Sequence, residues 1–157
     1  MYKARHAGRA VFATVQHHYN PVWREDEREL VPFARTEGLG LLPYSPVARG
    51  FLAGAARRQA KSTERARTDE YAWQWYGRPE DEAVAEQVEA AARKQGVSPA
   101  QAAIAWVLQS SAGAVPIVGC TSVPQLEQAV AAVSTTLDPQ DMAAIGAAYR
   151  PRPRGGH

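Results

Sequence analysis

Between Ala10 and Leu42 a strand, a helix and a second strand follow one another, and this order narrows the possible folds most. Ala10–Gln16 is apolar and β-branched, the composition of a buried strand. Glu25–Glu37 reads as a helix. Glu25, Asp26 and Glu27 stand in its first turn, where they favour the helix dipole, and Leu30, Phe33 and Ala34 form its inward stripe. Gly38 suits the left-handed stop, and Leu39–Leu42 supplies the second strand. A strand, crossover helix and strand make a βαβ unit with parallel strands. The pattern then continues. A helix over Glu80–Gln95 turns Val84, Val88, Ala91 and Ala92 inward and stops at Gly96. Ser98-Pro99-Ala100-Gln101 is a capping box opening a helix to Gln109, with Ala102, Ala105, Trp106 and Leu108 as its stripe. Ala114–Val118 is a third strand. A helix capped by Ser122 and another capped by Asp138, with Met142, Ile145 and Tyr149 inward, complete the chain. The fold class is α/β, with about three βα units.

Composition excludes several functions. The net charge of +2 is too small to argue for nucleic acid. Cys120 is the single cysteine, so no internal disulfide forms, as expected of a reducing compartment. Lys3, Arg5 and Arg9 precede an apolar run, Ala10–Val15, that is too short for a secretion signal, and no run is long enough for a membrane span. The expectation is a soluble, cytoplasmic protein with no membrane partner.

Chemistry concentrates where the second strand ends. Pro43 lacks an N–H, Tyr44-Ser45-Pro46 turns the chain outward, and Ala48-Arg49-Gly50 adds a fixed cation. Folds with parallel strands place ligands at this end; a plain turn with a surface arginine is the other reading. Gln16 ends the first strand and suits either a backbone bond or a ligand amide. His17 and His18 are adjacent on a strand, point to opposite faces and so do not share a metal. One is expected to be packed and the other to lie at the strand mouth. The long connection Ala53–Pro79 carries Arg57, Arg58, Lys61, Arg65 and Arg67, then Tyr71, Trp73, Trp75 and Tyr76. A connection of that length is functional or structural, and its aromatics argue against disorder. Thr121, Ser122 and Gln125 begin a helix directly after a strand, either as an anion site or simply as a good cap.

Three segments carry a resemblance. Tyr44-Ser45-Pro46-Val47-Ala48-Arg49-Gly50 resembles the WSPLARG segment of aldo-keto reductases, with Tyr for Trp and Val for Leu. Val15–Asn20 resembles their QNHYN, and Ile117–Leu126 their IVGAS…QL, in the family's order. The basic, proline-rich tail, residues 150–157, resembles that of one bacterial branch. The resemblance implies a partial aldo-keto reductase domain over residues 1–157: the C-terminal portion of a (β/α)8 TIM barrel, with parallel strands and outer helices.

It also implies a site for NADP(H). Gln16 would hold the nicotinamide carboxamide and Tyr44 would stack on its ring. Ser45, Pro46, Val47 and Arg49 would face the pyrophosphate, joined by Arg65. Gly119, Thr121, Gln125 and Gln128 would take the adenosine end, although Gln128-Ala129 replaces the family's Glu-Asn pair. No position matches the family's Asp, Tyr, Lys and His tetrad; Tyr19, Lys61 and His18 stand outside its motifs. No catalytic residue and no metal ligand is therefore assigned. The function implied is the cofactor-binding part of a carbonyl reductase, with a carbonyl substrate only if the missing half is supplied. The alternatives are a non-catalytic nicotinamide-nucleotide module, or a truncated product acting through interactions alone. Unpaired edges at Ala10–Gln16 and Ala114–Val118 imply self-association.

Overall fold

The computed structural model describes residues 6–54, 75–110 and 113–152. Strand β1, Thr14–His18, pairs in parallel with β2, Gly40–Tyr44, in the register Thr14↔Gly40 through His18↔Tyr44. The first strand thus lies C-terminal to its expected place. The pairing partner decides this: β2 starts at Gly40, whose N–H reaches the Ala13 carbonyl at 2.9 Å, so residues 10–12 find no ladder on that side. Phe12 is left 79 % exposed.

Pro43 explains both the length of β2 and the fate of the expected third strand. Amides and carbonyls of residues 41 and 43 face the 114–118 segment, as the bonds from Val115 N–H to Leu41 O (2.9 Å) and Ile117 N–H to Pro43 O (2.7 Å) show. The missing donor of Pro43 therefore leaves the β1–β2 ladder intact and removes the amide that would answer Val115. The third strand is accordingly reduced to those two bonds and a parallel bridge, Tyr44↔Ile117.

The expected helix over Glu25–Glu37 is broken. A 3₁₀ turn, Glu25–Glu27, precedes helix α1, Leu30–Glu37. A continuous helix would put Pro32 in its interior, without an N–H for the Arg28 carbonyl; restarting at Leu30 moves Pro32 into a first turn, where it is tolerated. The restart also rotates the stripe. Val31 and Ala34 are buried against Leu41 and Ala114, whereas Phe33 is exposed. Gly38 stops α1 in the left-handed region (φ 68°) as expected.

Helices α2 (Pro79–Gln95), α3 (Pro99–Ser110), α4 (Val123–Ala131) and α5 (Pro139–Ala148) follow. Val84, Val88, Ala91 and Ala92 of α2 are buried, and Ser98 Oγ accepts the Gln101 N–H at 3.2 Å. α3 is buried from Ala102 to Val107, most of the way round. The main core joins Tyr19, Leu52, Val88, Trp106, Leu137 and Ile145. Asp138 precedes α5, but its carboxylate pairs with Lys94 at 2.7 Å and makes no cap bond. The sheet is covered by helices on one face. On its other face, among the described residues, Gln16 is exposed, Val115 is 62 % exposed and Ile117 is 42 % exposed, while His18 at the strand end is buried. The described residues form an open arc of parallel strands and outer helices, not a closed barrel.

Candidate cofactor-binding site

β1, β2 and the Ile117 bridge end side by side, at Ile117 and at the cross-strand partners His18 and Tyr44. From there β2 enters a turn that the backbone resists. Ser45 (φ 57°), Ala48 (φ 49°) and Arg49 (φ 54°) all lie in the left-handed region without being glycine. Such residues cost about 1–2 kcal/mol each, and they persist where surrounding contacts hold them. Here the turn leads into a 3₁₀ segment, Ala48–Ala53, pinned by the buried Ala48, Phe51 and Leu52. The wholly buried Asn20 holds the other side: its Nδ2 donates to the Ser45 carbonyl at 2.9 Å and its Oδ1 accepts the Val22 N–H at 3.0 Å. Arg49 thus stands at the strand ends on a backbone fixed from two directions.

Behind Tyr44 lies an aromatic cluster. The His18 ring stacks between Trp23 (centroids 4.5 Å, planes 19° apart) and Tyr44 (5.0 Å, 12°). The Tyr76 hydroxyl and His18 Nε2 share a hydrogen bond at 2.5 Å. Burial, then the charges of Arg152, His17 and Arg49, push the His18 pKa down to about 4, which keeps the ring neutral. Burial likewise holds the Tyr76 hydroxyl well above the ordinary tyrosine range.

His17 points the opposite way and meets Asp26 at 3.2 Å; burial lowers its pKa against the opposing pull of that carboxylate. Both histidines are buried, so the mouth position expected for one of them is filled by a packed ring. The acids before α1 are likewise side-chain partners rather than dipole complements. Glu27 accepts the Tyr19 hydroxyl at 2.6 Å, and Glu25 accepts those of Tyr149 (2.6 Å) and the Arg152 N–H (2.7 Å).

The second loop at the strand ends runs from Gly119 to Gln125. Among the described residues a Cβ built on Gly119 would meet nothing within 4 Å, which leaves room there for a ligand. Ser122 stands at the N-cap with extended backbone, but its hydroxyl makes no cap bond. Instead the Gln125 side-chain carbonyl accepts from the Thr121 N–H (2.8 Å) and hydroxyl (3.1 Å). The Ser122 hydroxyl is left exposed at the start of α4.

The structure therefore brings Tyr44, Ser45, Pro46, Val47 and Arg49 onto one loop, beside the loop bearing Gly119, Thr121 and Gln125. Gln16 lies on the open face, one alternate residue before His18 on β1. Gln128 is turned to the start of α3, where its Oε1 accepts from the Ser98 hydroxyl at 3.2 Å. Arg65, with Tyr71 and Trp73, lies outside the described residues. Sequence reasoning missed Trp23, Tyr76 and Asn20 as supports of Tyr44 and Ser45. Only Asn20 carried a local signal, its place at the end of the strand motif.

A family model for the Aldo/keto reductase family matches residues 1–150. Versiconal hemiacetal acetate reductase of Aspergillus parasiticus is 37% identical over 144 residues, covering 90% of this chain and 41% of its own length. Aldo-keto reductase AMT2 of Alternaria alternata is 31% identical over 146 residues, covering 93% and 39%. A crystal structure of a thermostable aldo-keto reductase with the inhibitor epalrestat superposes with a TM-score of 0.59 at 22% identity, covering 85% of this chain and 38% of that one. That likeness shows the fold. The chain spans about two fifths of the length of the curated relatives it matches.

Proposed function

The chain belongs to the aldo/keto reductase family, and we propose that it is the cofactor-binding part of an NADP(H)-dependent carbonyl reductase. The observation that carries this reading is the strained Ser45–Gly50 turn, which presents Arg49 and the half-buried Tyr44 ring at the strand ends beside the Gly119–Gln125 loop. An arginine, open backbone at Gly119 and hydroxyls at a helix start suit a pyrophosphate and a ribose phosphate. Tyr44 would stack on the nicotinamide, Gln16 would hold its amide, and Ser45, Pro46, Val47 and Arg49 would line the pyrophosphate. Gly119, Thr121 and Gln125 would meet the adenosine end, with Gln128 once it is released from Ser98, and Arg65 would join from the long connection. When bound, the cofactor supplies a hydride for a carbonyl carbon. The proton for the carbonyl oxygen would come from tetrad residues that no position of this chain matches. A single cysteine, Cys120, and nicotinamide chemistry suit the cytoplasm.

Arg49→Ala is expected to weaken NADPH binding by about 1.5–3 kcal/mol, the range for hydrogen bonds to a charged group. Tyr44→Ala should cost less, about 1 kcal/mol. Calorimetric titration of wild type and both variants checks this; a wild type that binds with neither substitution changing the affinity moves the cofactor elsewhere.

The open face implies partners as well. Val115 and Ile117 on the strand edge, and Val123, Leu126, Val130 and Val133 along α4 and the turn after it, are exposed. Apolar edges and faces of this kind recruit other chains. The chain alone should therefore self-associate; a compact monomer in sedimentation velocity at micromolar concentration contradicts this.

A further inference from the structure

We infer that His18 is the positioning residue for the Tyr44 ring: it backs that ring from the buried side and so fixes the plane against which a nicotinamide stacks. This rests on the reading of Tyr44 as the nicotinamide platform. The observation is a continuous pile. The Arg152 guanidinium lies 4.6 Å over Trp23, Trp23 lies 4.5 Å from His18, and His18 lies 5.0 Å from Tyr44, with the three rings within 19° of parallel at each step. Tyr44 is the half-buried end of this pile, whereas His18 is buried within it.

His18 cannot easily leave its plane. Its Nε2 is hydrogen-bonded to the Tyr76 hydroxyl at 2.5 Å, and the Tyr76 ring meets it edge-on at 5.9 Å. Trp75 tilts against it at 5.4 Å. Its backbone is paired in register with that of Tyr44. A tyrosine on a strand end otherwise turns about χ1 and χ2, and holding it flat in advance removes that ordering cost from binding. A flat ring at position 18 is therefore the feature required; the hydrogen bond with Tyr76 orients that ring.

The test uses two ligands and one signal that needs no ligand. NADPH reports the whole site, and adenosine 2′,5′-bisphosphate reports the adenosine end alone. His18→Leu removes the flat ring, and His18→Phe keeps it. His18→Leu is expected to weaken NADPH about 2- to 10-fold, the worth of an aromatic pair, and to leave the bisphosphate affinity unchanged. His18→Phe is expected to restore NADPH binding to near wild type. The ring-proton resonances of Tyr44, assigned by their loss in Tyr44→Phe, should keep their ring-current shift in His18→Phe and lose it in His18→Leu.

Equal weakening of both ligands in His18→Leu would mark a general loss of structure and overturn the inference. So would equal losses in the two variants, or a Tyr44 shift that His18→Leu leaves in place. A wild type that binds no NADPH defeats the cofactor reading, while the Tyr44 shift still decides whether His18 orients the ring.

Discussion

Asp81→Ala should destabilise the fold by about 3–5 kcal/mol, the cost of breaking a buried ion pair from one side. Asp81 is 1 % exposed, in the first turn of α2. Its carboxylate accepts the N–H groups of Gly77 and Arg78, each at 3.1 Å. It also takes the Arg78 guanidinium at 3.2 Å and both oxygens face Arg152, at 2.9 and 3.0 Å. Alanine would strand two amides and the largely buried guanidinium of Arg152, which has little water to turn to. Arg152 is also the cation over Trp23, so the loss would reach the pile behind Tyr44. Asp81→Asn keeps the shape and some of the hydrogen bonds, and should cost less. Urea unfolding of Asp81→Ala, Arg152→Ala and the double variant measures the coupling. A loss below about 1 kcal/mol in Asp81→Ala would show that the pair is solvated.

The second large effect is acid lability through His18. In the unfolded chain its pKa is about 6.5, and in the fold burial, Arg152, His17 and Arg49 push it down to about 4. Between those values the unfolded chain binds the proton first, so stability rises with pH. The contribution is complete above about pH 6.5 and is lost as the pH falls toward about 4, a span worth roughly 3 kcal/mol. His17, also lowered, acts with the same sign. Carboxylates lose their partners in the same range, so the comparison is between wild type and His18→Phe, in which that background cancels. Urea midpoints at about pH 7 and about pH 5 should fall further apart in wild type than in the variant, by the equivalent of roughly 2 kcal/mol. Identical pH slopes would mean that His18 is solvated when folded.

Several local features of this fold were legible in the sequence, and its long-range ones were not. Gly38, Gly96 and Ser98 act where their residue types predict, whereas Ser122 makes no cap bond and Asp138 pairs with the distant Lys94 instead. The stripe of α2 was legible because helical period alone sets it, whereas α3 also buries Ala103, Ile104 and Val107, outside its expected stripe, and leaves Leu108 half-buried. The displaced β1 and the reduced third strand depend on a partner: where Gly40 begins, and which side the nitrogen of Pro43 faces. Pro32 stood in plain sight inside the expected helix, and reading it as an interior breaker would have found the restart at Leu30. The Tyr44–Gly50 loop was legible through its motif. Its supports were not, since His18 and Tyr76 are 58 positions apart and Asp81 and Arg152 are 71 apart. No local pattern links such pairs.

Mapping of amide resonances during an NADPH titration tests most directly whether the two loops at the strand ends hold a nicotinamide nucleotide. The account predicts saturable shifts confined to the Tyr44–Gly50 and Gly119–Gln125 segments, with smaller ones at Gln16. Shifts centred elsewhere, or none at millimolar NADPH, would contradict it.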